Sequence, residues 1–85
     1  MKDFVPDLIV EVLSPSTAPE DRGPKKSEYE RLGVREYYLL DPVAGEVEAF
    51  ALAGARYVAV TRGPDGFPSA VLDASWDPAR VLADG

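Results

Sequence analysis

Asp7-Leu-Ile-Val-Glu-Val-Leu13, bounded by Pro6 on one side and by Ser14-Pro15 on the other, is the stretch on which the reading of this chain turns. It is a short, nearly continuous apolar run rich in β-branched residues, the pattern of a strand covered on both faces. Ser14 to Pro19 is loop by composition, rich in proline and hydroxyl residues. From Asp21 or Arg22 to Leu32 the pattern predicts a helix, with Pro24 in the first turn, where its missing N–H costs nothing, and Gly33 beyond the end as a left-handed cap. Lys25, Tyr29 and Leu32, spaced i, i+4, i+7, form the face of that helix expected to turn inward.

Val34 to Leu40 reads as a second strand closed by Asp41-Pro42, so strand, crossover helix and strand make a right-handed parallel βαβ unit. After the turn Pro42-Val-Ala-Gly45, alternation in Glu46 to Leu52 puts Val47, Ala49 and Ala51 on one face and Glu46, Glu48, Phe50 and Leu52 on the other. Ala53-Gly54 turns the chain into Arg56 to Thr61, completing an antiparallel meander. Arg62 to Gly66 is an exposed loop, Phe67 to Leu72 a final short strand, and Asp77-Pro78 begins a closing helical turn. The expected class is α/β (α+β): one domain over residues 1–85, with a mixed sheet.

Eighty-five residues bury a thin core, so an oligomer is the expected setting. The chain has neither cysteine nor histidine, which removes disulfides, thiolate nucleophiles, the usual zinc sites and any imidazole base. No stretch approaches the roughly 20 apolar residues that span a bilayer, and a cytoplasmic location without membrane contact is expected. A net charge of −6 opposes non-specific binding to a polyanion. Five of the nine basic residues, Arg22, Lys25, Lys26, Arg31 and Arg35, nevertheless cluster on the helix and its exit. They read either as a solvated helix face or, with Arg22 and Lys26 foremost, as a contact for nucleic acid.

Glu11 does not match its apolar neighbours, and an ionised carboxylate there needs a cation or donors. Lys25 is the expected partner, its stem packed on the sheet and its ammonium reaching over the strand. Two readings of Glu11 and Lys25 stay open: a structural ion pair that sets helix register, or a catalytic or metal-binding pair. Asp7 shares a strand face with Glu11, but four residues of strand separate them by about 13 Å, whereas ligands of one magnesium lie about 2.1 Å from it. Asp21 reads as an N-cap or first-turn acid. Tyr37 and Tyr38 place one aromatic on each face, and Asp41 initiates a turn.

Pro6-Asp-Leu-Ile-Val-Glu-Val-Leu-Ser-Pro-Ser16, followed by Asp21-x-x-x-Lys25-x-x-x-Tyr29-x-x-x-Gly33-Val-x-Glu-Tyr-Tyr-x-x-Asp-Pro42, resembles the Uma-type putative restriction endonuclease family of the PD-(D/E)xK superfamily. From Val43 onward the likeness is one of strand pattern. The resemblance implies a restriction-endonuclease-like fold and a metal-dependent nuclease using Mg2+, or Mn2+, weakly bound in the isolated chain or absent from it. Glu11 would be the metal ligand, Glu11 and Lys25 the catalytic residues, and Asp7, Asp21 and Tyr29 their support. The superfamily lysine often follows two residues after the acid. That place here is Leu13, so the amine is expected from the helix.

Members of the family run about twice this length and carry a first metal-binding Asp on an N-terminal hairpin. Against them this chain reads as a half-domain lacking the usual N-terminal helix and hairpin. A homodimer, or a partner chain supplying the missing strands, would then complete the site, with DNA as substrate. The alternative is a non-catalytic oligomerisation or protein-interaction domain that retains the fold.

Overall fold

A computed structural model describes residues 4–16 and 18–84. β1 (Leu8–Val12) leads through a short helix α1 (Ala18–Arg22) and a longer one, α2 (Pro24–Leu32), into β2 (Glu36–Asp41). β3 (Glu46–Ala53) and β4 (Arg56–Ala59) follow as hairpin partners, then a small sheet of β5 (Phe67–Ser69) and β6 (Ala74–Trp76), and a last helix α3 (Pro78–Asp84). The main sheet runs β1-β2-β3-β4, with β1 parallel to β2 and the other pairs antiparallel. The mixed α/β architecture is the expected one, a strand-helix-strand unit followed by a meander, compatible with a restriction-endonuclease-like half-domain. Among the described residues no helix is long and apolar enough to cross a membrane.

β2 is the buried spine. Its alternation sends Tyr38 and Leu40 to one face, where they pack with Ala49 and Phe67 beside Leu8, Val10, Val47, Val60 and Trp76. Tyr37 and Leu39 go to the other, with Leu13, Ile9, Tyr29, Phe50 and Tyr57. The crossover helices cover the Tyr37 face, and the small sheet covers the Tyr38 face. Tyr37 therefore meets Tyr29 edge-on at 5.1 Å, and Tyr38 meets Trp76 edge-on at 5.1 Å.

Several expectations change. The single helix is two, because Gly23 adopts φ −120°, ψ −96° before Pro24, whose ring disfavours helical geometry in the residue preceding it. α2 restarts with Ser27 N–H donating to Gly23 O at 3.0 Å. Asp21 consequently lies inside α1 and is no N-cap of the longer helix. Leu32, expected to face inward, is 44% exposed. Gly33 does take the left-handed cap, at φ 86°, and Val34 N–H reaches back to Tyr29 O at 3.0 Å. This spends the residues up to Arg35 on the helix exit and delays β2 to Glu36.

Val12 is 56% exposed, so β1 is not fully covered on both faces as its apolar run suggested. β5 ends at Ser69, and β6, which was not anticipated, pairs back on it through a turn holding Asp73 at φ 56°. Gly66 enters this hairpin at φ 113°, and a Cβ there would lie 2.4 Å from Trp76 O. Only glycine fits that approach.

Candidate active site between the first strand and the crossover helices

Four residues from three elements meet on the helix-covered face of the sheet. Odd-numbered positions of β1 face this side, which brings Glu11 beneath α2. The Tyr29 hydroxyl, one turn further along α2 than Lys25, donates to Glu11 Oε1 at 3.0 Å. Lys25 Nζ stands 3.8 Å from Glu11 Oε2 and 3.1 Å from Asp21 Oδ1. The partner inferred for Glu11 is therefore in place, together with a second acid.

The two acids differ in setting. Glu11 keeps about a quarter of its side-chain surface open to water, whereas Asp21 keeps 1%. Asp21 Oδ1 is buried without a hydrogen bond of good geometry, and the lysine ammonium is its counter-charge. The Tyr37 hydroxyl donates to the Asp21 carbonyl at 2.8 Å, so the turn carrying this acid is clamped to the buried spine. Close contact with the accepting Asp21 carboxylate, then the field of Glu11, raises the Lys25 ammonium pKa and favours the charged form. Burial, then the bond to Glu11, raises the pKa of the Tyr29 hydroxyl and keeps it a donor.

The remaining candidates lie around this centre. Asp7 is exposed and precedes β1; its carbonyl accepts Glu36 N–H at 3.0 Å. Arg22 places Nε and Nη2 on Glu48 Oε2 at 2.9 and 2.7 Å and approaches Asp41 at 3.6 Å. Lys26 lies 3.8 Å over the Phe50 ring. Both cations named as nucleic-acid contacts are thus engaged by the chain's own sheet, and Arg31 pairs with Glu28. Among the described residues the cluster's other member, exposed Arg35, has no ion-pair partner.

Two features escaped the sequence reading. Asp41 accepts from Val43 and Ala44 N–H, as a turn initiator should, and also meets Arg22, which ties α1 to the end of β2. Glu36 is the larger omission. At 3% exposure it accepts from the Tyr38 and Ser69 hydroxyls at 2.7 and 2.6 Å and from Val71 N–H at 3.0 Å. Strand parity could have found it, since Glu36 shares a face with Tyr38 and Leu40 in the central run of the sheet.

Among the described residues no three acids gather around one point. Magnesium, however, commonly keeps several waters and takes one or two carboxylates together with substrate phosphates. Glu11, partly open to water, fits the part of one such carboxylate. A hollow of about 610 Å3 lies elsewhere, lined by residues that include Glu46, Phe67 and the Arg62–Asp77 pair. It belongs to the junction with the small sheet and has no member of the Glu11 cluster.

No curated protein matches the chain. A family profile matches residues 2–79, well beyond the Val43 at which the motif likeness weakens, so β3 to β6 fall within it. By that match the chain belongs to the Uma2 family, described as "Putative restriction endonuclease".

Proposed function

We propose that the chain is a metal-dependent phosphodiester hydrolase domain acting on DNA, with Glu11 and Lys25 as its working pair. The observation that carries this reading is Glu11 itself. It is an acid set among apolar strand residues, bonded on one oxygen by Tyr29 and faced on the other by Lys25. Family membership supports the same chemistry.

In this reading Glu11 supplies one carboxylate to Mg2+ or Mn2+. When bound, such an ion polarises a phosphoryl oxygen and lowers the pKa of a coordinated water. Lys25 keeps its proton and offers a fixed positive charge where negative charge develops on the phosphoryl oxygens. Asp21 holds the lysine from the far side, and Tyr29 fixes the rotation of the Glu11 carboxylate.

A second metal-binding acid has to come from outside this cluster, on a strand docked along the free edge of β1. Val12, 56% exposed, lies on that edge strand. A second copy of the chain or a partner chain supplies the strand, which makes the isolated chain a weak metal binder. DNA contact by Arg22 and Lys26 requires them to leave Glu48 and Phe50, consistent with weak, salt-sensitive binding.

Titration calorimetry of the purified chain with Mn2+ tests the assignment. Weak binding that disappears in Glu11→Gln supports it, and equal affinity in the two proteins removes Glu11 from the site. A second reading, a non-catalytic oligomerisation or protein-interaction domain, is favoured by the closer approach of Lys25 to buried Asp21 than to Glu11. Metal-dependent nicking of plasmid DNA, lost in Lys25→Met and Glu11→Gln, separates the two.

A further inference from the structure

We infer that Glu36 is an acid-sensitive latch: its ionised carboxylate fastens the β5–β6 hairpin to the main sheet, and protonating it frees that hairpin while the four-stranded sheet stays folded. The latch is on the opposite face from Glu11 and does not depend on the nuclease reading.

The geometry is that of an anion site closed by the chain itself. Glu36 Oε1 takes hydrogen bonds from Tyr38 and Ser69, and Oε2 takes Val71 N–H. Ser69 Oγ also accepts from Leu72 N–H at 3.0 Å, so one hydroxyl joins the carboxylate to the turn that follows β5. Apart from Tyr38, the donors to Glu36 belong to the segment 67–76. The attachment of the small sheet therefore rests on a charge in the large one.

Among the described residues, the groups that meet Glu36 are donors or neutral. From its own strand comes Tyr38. From the small sheet come Ser69 and the N–H groups of Val71 and Ala70. Across β3 it is paired with Ala51, and across β1 with Leu8. Asp7 contributes its carbonyl, to the Glu36 N–H. Among the described residues no lysine or arginine makes an ion pair with Glu36. A protonated carboxyl is a donor among donors, and only the charged form satisfies them all.

Burial works to raise the Glu36 pKa, but the bonds from Ser69, Val71, Tyr38 and Ala70 together outweigh it, and the value falls below the ordinary one. A lowered folded pKa gives stability that is present above the unfolded value, about 4.3, and is lost as pH falls through the folded one. The latch therefore holds at neutral pH and opens in acid below about 4.3. The rest of the small sheet's attachment is chiefly Phe67 and Trp76 on Tyr38, with Arg62 lying over the Phe67 ring at 5.5 Å and paired with Asp77 at 2.7 Å.

Trp76 is the only tryptophan, and it sits in the part that moves. The test follows its emission and the far-ultraviolet circular dichroism of the full chain through an acid titration. The expected result is a red shift of Trp76 at a pH where the strand signal persists. In Glu36→Gln the side-chain amide sets a donor against Val71 N–H, and Trp76 is already red-shifted at pH 7 with no acid step left. Ser69→Ala keeps the charge but removes one donor, and moves the step to higher pH. It is the decisive variant should Glu36→Gln fail to fold. Coincident loss of both signals in the wild type, or an acid step unchanged in Ser69→Ala, would overturn the latch.

Discussion

The Lys25 ammonium lies 3.1 Å from Oδ1 of Asp21, an acid with almost no contact with water, while Lys25 itself keeps 39% of its side chain exposed. The pair is therefore unequal. Removing Asp21 leaves a cation that water can still solvate, whereas removing Lys25 strands a buried carboxylate. Lys25→Met is expected to lower the melting temperature at pH 7 by more than Asp21→Asn does. The reverse order in thermal denaturation would show that the pair does not anchor α1.

Tyr29→Phe removes one donor to Glu11 and leaves the ring where it packs on Tyr37. The expected loss is about 1 kcal/mol of unfolding free energy, with the fold retained. Urea denaturation measures it, and a loss several times larger would mean that the hydroxyl supports more than one carboxylate.

All four tyrosines, Tyr29, Tyr37, Tyr38 and Tyr57, have their pKa values raised, in each case mainly by burial; that of Tyr57 is pushed up to about 12. A hydroxyl that ionises later in the folded chain stabilises the fold fully below the unfolded value, near 10, and ceases to as pH climbs through the folded one. Absorbance near 295 nm should accordingly show little tyrosinate at pH 10, then a steep rise as alkali unfolds the chain. An ordinary titration centred on pH 10, with circular dichroism unchanged, would contradict this packing.

Gly33 and Gly66 both have positive φ, yet they differ in surroundings. A Cβ on Gly33 meets nothing within 4 Å, so Gly33→Ala costs only the left-handed strain, about 1 kcal/mol. On Gly66 it collides with Trp76 O at 2.4 Å and Trp76 C at 2.6 Å, both backbone atoms. Gly66→Ala is expected to cost more than about 3 kcal/mol and to disturb Trp76 emission, a difference between the two variants that denaturant titration reads directly.

The main sheet was legible because its signals are local. The apolar run ending at Leu13, the alternation from Glu46 and the glycine at 33 each specify geometry within a few residues, and the Glu11–Lys25 partnership followed from helical phase. What escaped depends on distant chain. Nothing near Asp21 announces that its oxygen is sealed under the helix pair. The Gly23 break was signalled only by the proline after it, which was read as a helix start. Ser69 and Val71 make Glu36 tolerable from more than thirty residues away, and β6 is three residues whose strand character comes from pairing with β5. Arg22 and Lys26 looked available for phosphate because Glu48 and Phe50, which occupy them, come from β3.

The strand order also makes the pairings unequal in the length of chain each must close. β2, β3 and β4 are joined by tight hairpins whose ends need search little space, while β1 reaches β2 only after the whole segment 13–35 has closed into a loop. Closure entropy delays such distant pairings. The pairing that brings Glu11 under Lys25 and Tyr29 is therefore expected to carry a larger closure cost than any pairing within the meander.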